Sequence, residues 1–340
     1  MQIKREIRIV VAVIVFSIMI TSTFSLEIEM FNKEKNANEE IDLFEYIKDG
    51  KMKMIENSRN CSIAKKAIMV LGLSGTGKTT LINYLNDVPL VGMQKGFGYR
   101  VTPKDPGVTL PCGFEIGHNA HSETHLPSAY TPPGSDFSFL DNPGFGDTKG
   151  IEIGIANAFF RKEITETIDE FKFMLVITPN GLDQRGGQFR VSMERFSEFL
   201  EIFDSENAAV LSKSIGIVVA RVENKGRTDR EVKEELRDQL LSILDDESKN
   251  KKKRLRNCGS DAKCRLQIEN RDLVFRRVIQ DSQVEIFSTP ETNGTLDDKQ
   301  KLQIIKMINK LEYIKKNDVG FRVVVEEDII PDIHVKNWKK

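Results

Sequence analysis

Between Gly72 and Thr79 the chain reads Gly-Leu-Ser-Gly-Thr-Gly-Lys-Thr, which matches the pattern G-x-x-x-x-G-K-T/S. An apolar run, Ala67 to Leu71, precedes it, and a helix-forming stretch opens at Thr80. A strand, a glycine loop and a helix in succession are what this arrangement demands. Gly72, Gly75 and Gly77 permit positive φ, so successive backbone N–H groups can converge on phosphate oxygens at a helix N-terminus. The phosphate-holding set is therefore Gly72, Gly75, Thr76, Gly77, Lys78, Thr79 and Thr80. Lys78 supplies a point charge to the β- and γ-phosphates, and the Thr79 hydroxyl ligates Mg²⁺.

A second signal, Asp141-Asn142-Pro143-Gly144-Phe145-Gly146-Asp147-Thr148, ends the apolar run Phe137 to Leu140. A carboxylate at such a strand end can hold Mg²⁺ through water, and the Gly144 N–H can detect a γ-phosphate. Asp-Asn-Pro-Gly is also good turn chemistry, so its weight comes from lying downstream of the phosphate loop. The long segment between Asn86 and Phe137 should contain the first switch. Thr109 is the expected Mg²⁺-sensing threonine, with Thr102 its rival.

The rest of the chain alternates strand-like and helix-like segments. Phe171 to Thr178, Ile215 to Ala220 and Val284 to Ser288 read as strands. Gly154 to Glu170, Gln188 to Phe203, Arg230 to Asp245 and Leu296 to Lys315 read as helices. Strands short and apolar enough to be buried on both faces, with helices between them, predict a mostly parallel sheet covered on both sides, a three-layer αβα domain of the α/β class.

Base choice should be written after the strand Ile215 to Val219. A carboxylate there accepts from guanine N1–H and the exocyclic amino group, whereas adenine offers a lone pair. The expected N/T-K-x-D string is replaced by Ala220-Arg221-Val222-Glu223. Glu223 is read as the base reader and Arg221 as a guanidinium stacked on the purine, against the alternative of a solvated charged loop. Asn224-Lys225 looks like a decoy, since Arg227 stands where an Asp should. Ser288 and Thr289 end a later strand and can present N–H groups near the base.

Taken together, Gly72 to Thr79 and Asp141 to Thr148 resemble the septin and immunity-associated (GIMAP, avirulence-induced) branch of the P-loop GTPases, where D-T-P-G-F/L-x-D is typical. Phe173 to Asp204 is similar to that branch's strand-loop-helix, and the resemblance runs from about Ala64 to Thr289. Departures are Asn142 in place of Thr, the loop Gly181 to Gly187 and the altered base-reading string. The resemblance implies a P-loop GTPase-like fold, GTP and Mg²⁺ as cofactors, and catalytic groups supplied by a partner or a second copy across the nucleotide face.

In many small GTPases a glutamine follows the D-x-x-G glycine and orients the attacking water. Here Phe145 stands there and can make no such hydrogen bond, so intrinsic hydrolysis should be slow. The expected protein is a GTP-binding switch with partner- or dimer-stimulated turnover. The alternatives are a GTP-dependent assembly protein with little turnover and an ATP-dependent P-loop enzyme.

The formal net charge is -1, from 50 Lys+Arg against 51 Asp+Glu, so no nucleic-acid partner is expected. The basic run Lys251 to Arg256 reads as a solvated loop. His118, His121 and His125 lie among Gly, Asn, Ser and Pro, which argues against a helix that would align them on a metal. Four cysteines are too few and scattered for a disulfide scaffold or a structural zinc site. Cys258 and Cys264 could close a short disulfide in a lumenal domain and would stay thiols in the cytosol.

The expected organisation is a hydrophobic signal peptide or membrane anchor over 1–26, a polar linker over 27–63 with at most one helix, a nucleotide domain over 64–325 and a tail over 326–340. Lys4, Arg5 and Arg8 precede the apolar run Ile9 to Ile20. Residues 9–24 as a helix span roughly 24 Å, short of the ~30 Å hydrocarbon core, yet could engage a membrane. The charge layout sends the domain across a membrane, where nucleoside triphosphates are scarce; a membrane-anchored or secretory-pathway location therefore stands beside a cytoplasmic one. Asn60-Cys61-Ser62 and Asn293-Gly294-Thr295 are glycan acceptor sequences that discriminate the two.

Overall fold

Along β1 (Lys66–Leu71) successive side chains enter different cores: Ala67, Met69 and Leu71 join one apolar cluster, Ile68 and Val70 another. A period of two with both faces buried is the signature of a central strand between helical layers. The structure, a computed structural model, describes residues 43–321 apart from 96–97, 106–107, 112, 115, 117–125, 146–150, 180–181, 183–186, 202–204, 291–292 and 297.

In chain order, α1 (Leu43–Asn60) precedes β1. After it come α2 (Lys78–Leu85), β2 (Leu90–Lys95), β3 (Gly98–Pro103), β4 (Ser128–Tyr130) and β5 (Phe137–Asp141). Next are α3 (Ile151–Glu166), β6 (Glu170–Ile177), α4 (Gly187–Phe199), β7 (Leu200–Glu201), α5 (Ser205–Lys213) and β8 (Ile215–Val222). The last part holds α6 (Asp229–Asn257), α7 (Ala262–Gln280), β9 (Val284–Ser288), β10 (Gly294–Thr295), α8 (Asp298–Lys310), β11 (Ile314–Lys315) and β12 (Gly320–Phe321).

The main sheet runs β4-β5-β1-β6-β8-β9, with β11 paired antiparallel to the start of β6. All neighbours along that path are parallel except β4, which is antiparallel to β5. The second core cluster packs one face against Leu81, Ile82 and Leu85 of α2 and Ile304, Met307 and Ile308 of α8. The first packs the other face against α4, α5, α6 and α7 through residues such as Phe196, Leu211, Leu240 and Phe275. The domain is thus the three-layer α/β arrangement expected from the sequence. Chain order reverses around β1, which has β5 on one side and β6 on the other, so the crevice at their carboxyl ends is the topological switch point where such sheets bind ligands.

Several expectations change. The folded unit takes in α1, assigned to the linker by its polarity: Tyr46 meets Phe160 of α3 at 6.4 Å between ring centroids, and Lys51 pairs with Glu163 at 3.3 Å. The helix expected to end at Asp245 continues to Asn257, so the basic run is helical rather than a loop. Its Arg254 donates to Glu247 at 2.7 Å, and Arg190 and Arg271 reach the same buried carboxylate at 2.8 and 3.1 Å. A second long helix, α7, follows it, unanticipated because its Lys, Arg and Glu residues dilute the apolar face. Within 86–137 the hairpin of β2 and β3 joins β10 in a separate three-stranded sheet. The segments 1–26 and 326–340 and the three histidines lie outside the described residues. Among the described residues no helix is long and apolar enough to cross a membrane.

Candidate functional site

The loop after β1 takes the conformation its glycines permit. Gly72, Gly75 and Gly77 have φ of 149°, 75° and 93°, and a Cβ on Gly72 would lie 2.2 Å from the Val176 carbonyl oxygen. Gly77 is the N-cap of α2 and no acidic residue stands in that helix's first turn, which leaves its positive dipole end uncompensated by side chains. Thr76 is buried and its hydroxyl donates to the Leu73 carbonyl at 3.0 Å. Lys78 is 6% exposed, and its Nζ donates to the carbonyls of Gly72 and Leu73 at 3.3 and 3.1 Å. A buried ammonium requires such acceptors, and these hold it over the loop. Thr80 follows on α2, half-buried.

Asp141 ends β5 fully buried, and the Thr79 hydroxyl donates to its Oδ2 at 2.5 Å. The two residues assigned to Mg²⁺ are therefore in contact. Beyond Asp141 the chain lies down on the phosphate loop: Phe145 N–H donates to Gly72 O at 3.0 Å, and Ser74 N–H to Phe145 O at 3.1 Å. Gly144 makes this approach possible, because a Cβ there would stand 2.5 Å from Ser74 N and Cα. The Phe145 ring points away from the loop into the core, 4% exposed, with the Arg161 guanidinium 4.9 Å above it. Asp147 and Thr148 lie outside the described residues.

Of the two first-switch threonines, Thr102 sits in β3 opposite Val91, in the three-stranded sheet. Thr109 precedes Leu110, whose N–H donates to Asn83 Oδ1 at 2.9 Å; Asn83 is one turn along α2 from Thr79 and donates to the Thr79 carbonyl. That bond ties the Thr109 segment to the phosphate-loop helix.

A cavity of about 500 Å³ opens at the carboxyl ends of β8 and β9, lined by Asn224, Thr228, Asp229, Thr289, Lys299 and Gln300 among others. Its polar groups are mutually ordered. Asn224 donates to Asp229 Oδ1 at 2.8 Å and accepts from the Ser288 hydroxyl at 3.1 Å. Gln300 of α8 donates to Ser288 Oγ at 2.8 Å and to Asp229 Oδ1 at 3.2 Å, while its Oε1 accepts the Ser288 N–H at 2.8 Å. Thr289 N–H donates to the Val222 carbonyl at 2.8 Å.

The expected base readers divide here. Ser288 and Thr289 belong to this network or its cavity, but Glu223 and Arg221 do not line it. Glu223 faces solvent, its side chain 65% exposed and paired with Lys225 at 3.4 Å. Arg221 occupies a β-bulge with φ of 59°, where the β8–β9 register shifts, and the bulge turns the strand end away from simple alternation. Partial burial first, then the charge of Arg100, pull its guanidinium below its ordinary pKa. Asn224, dismissed on spacing, faces the cavity instead, and Asp229 arrives two residues later than the usual string allows. Asn-Lys followed by any Asp at the start of the next helix was the available signal.

The strand order and the glycine loop at its switch point define a P-loop α/β domain. No family model matches the chain, and no curated protein matches it. Among solved structures it is similar to the crystal structure of an S. thermophilus NFeoB mutant bound to GDP, at 11% identity over 72% of this chain and 89% of that one, with a TM-score of 0.29. That overlap is loose, and the assignment of class stands on the strand order and loop described above.

Proposed function

We propose that this protein binds a guanine nucleoside triphosphate and works as a nucleotide-dependent switch. One observation carries the reading: a phosphate-loop lysine, a magnesium-type Thr–Asp pair and a polar base-sized cavity all lie at the carboxyl ends of neighbouring parallel strands. Gly72, Gly75, Thr76, Gly77, Lys78, Thr79 and Thr80 hold the phosphates. Asp229 accepts from guanine N1–H and its amino group, Asn224 orients that carboxylate, and Ser288 and Thr289 border the base.

The donor set of Thr79 and Asp141, a hydroxyl and a carboxylate, suits a hard cation that takes its remaining ligands from phosphate and water. Mg²⁺ held there would neutralise charge on the β- and γ-phosphates. Thr109 would join it from the first switch, and the Gly144 N–H would sense the γ-phosphate.

Phe145 turns its ring into the core, so the chain offers no water-orienting side chain at that position. Turnover therefore depends on groups from a partner or a second copy at the nucleotide face. The test is competition of a labelled guanine nucleotide by GTP and by ATP, in wild type and Lys78→Ala. GTP should compete and ATP should not, and Lys78→Ala should lose affinity by tenfold or more. Equal competition by the two nucleotides, or undiminished binding by the variant, overturns the reading.

A further inference from the structure

Every cysteine among the described residues is oxidised: Cys258 is bonded to Cys264, and Cys61 is disulfide-bonded as well. Cys258 is the C-cap of α6 and Cys264 lies in the first turn of α7, so their bridge staples the corner between two long helices. Forming it requires two thiols to give up two protons and two electrons to a disulfide oxidant by exchange. Compartments buffered by glutathione do not sustain such bonds, whereas the secretory lumen does.

A second, independent feature points to the same compartment. Asn293-Gly294-Thr295 is an acceptor sequence, all three residues are exposed, and the last two form β10, an edge strand of the three-stranded sheet. Gln94 N–H donates to Asn293 Oδ1 at 2.8 Å. A backbone N–H can bond only the carbonyl end of that amide, so Nδ2, the atom that carries a glycan, is outside the bond. We infer that the domain matures in an oxidising lumen, with Cys258–Cys264 closed and Asn293 carrying an N-linked glycan. In the transfer Nδ2 bonds to the anomeric carbon of a sugar activated as a diphosphate ester. The anomeric C–O bond breaks, the diphosphate carrier leaves and an amide proton passes to solvent. A glycan beside β10 also covers an edge that could otherwise pair with another strand. The inference does not depend on which nucleotide the protein binds.

The test is the full chain made in a eukaryotic secretory host as wild type, Thr295→Ser and Thr295→Ala, each run with and without glycosidase. Both variants keep Asn293 and its bond from Gln94. Wild type and Thr295→Ser should shift, and Thr295→Ala should lack one glycan's step. Should Thr295→Ala fail to fold, conversion of Asn293 to Asp in the wild-type peptide after glycosidase reads occupancy directly. A digest without reductant should link the Cys258 and Cys264 peptides. An unmodified Asn293 in wild type, or cysteines that alkylate in native protein before reduction, overturns the inference.

Discussion

Phe145 and Leu73 form a two-residue parallel bridge that fastens the segment after Asp141 onto the phosphate loop, with Phe145 bonded through its N–H to Gly72 and through its carbonyl to Ser74. The segment after Asp141 is thus pinned to the glycine loop that follows β1.

Gly144→Ala sets a methyl 2.5 Å from backbone atoms that cannot swing aside. Overpacking of this kind costs about 1–3 kcal/mol. We expect a lower Tm and nucleotide affinity reduced roughly tenfold, about 1.4 kcal/mol, by titration. Wild-type affinity in this variant would show that the bridge is dispensable.

Installing the glutamine of faster GTPases should not accelerate hydrolysis, because residue 145 points into the core. Phe145→Gln should lower Tm through loss of a buried ring, while its single-turnover rate in dilute protein stays at the wild-type level. The wild-type rate should itself rise with protein concentration; a concentration-independent rate would contradict the need for a second copy or partner.

On the proposed reading, Asp229→Asn replaces the carboxylate that would accept from both guanine N1–H and its amino group with an amide that can accept from one of them. Hydrogen bonds to charged groups contribute about 1.5–3 kcal/mol, so GTP affinity should fall on the order of tenfold to a hundredfold. Gln300→Ala, at a lining residue that orients Asp229 and Ser288, should weaken GTP less and narrow its preference over ATP. Thermal melts that match wild type separate this effect from unfolding.

Glu247 is 6% exposed and receives Arg190, Arg254 and Arg271. Glu247→Ala removes the carboxylate that Arg190, Arg254 and Arg271 share where α4, α6 and α7 meet, leaving Arg271 its pairs with Glu194 and Asp272, and should cost about 3–5 kcal/mol by denaturant titration. A change below the scatter of surface substitutions would mean that water reaches the cluster.

Burial, then the charges of Asp136 and Glu170, push the Tyr313 hydroxyl up to about 12. The folded protein keeps that proton where the unfolded chain, titrating at about 10, has released it, so stability falls as pH rises from 10 to 12. Lys172 beside it is lowered by burial and works in the opposite sense as pH approaches its ordinary value. Comparing Tyr313→Phe with wild type isolates the tyrosine: the variant should lose less Tm across that window.

The parallel sheet was legible because strands such as β6 carry unbroken apolar runs of the right length, here Phe173 to Ile177, and the phosphate loop because its glycines are fixed in spacing. What escaped was set by tertiary context. Lys251–Arg256 is highly charged, yet the buried Glu247 draws Arg254 inward and keeps the helix going. Glu223 faces solvent while Asp229 lines the cavity, because the bulge at Arg221 and the two added residues re-aim the loop, a geometry that linear spacing does not express. The β2–β3 hairpin is held by β10, some two hundred residues away in the chain, which no local pattern announces.

The ring of Tyr84 on α2 stacks on Phe287 at 4.9 Å, and its hydroxyl accepts the backbone N–H of Lys301, the neighbour of Gln300 on α8. One phenol therefore braces the helix that begins at the glycine loop against the helix that carries Gln300 into the polar cavity. A tilt imposed at either end is a lever on the other, so the glycine loop and the cavity are joined by a single mechanical part.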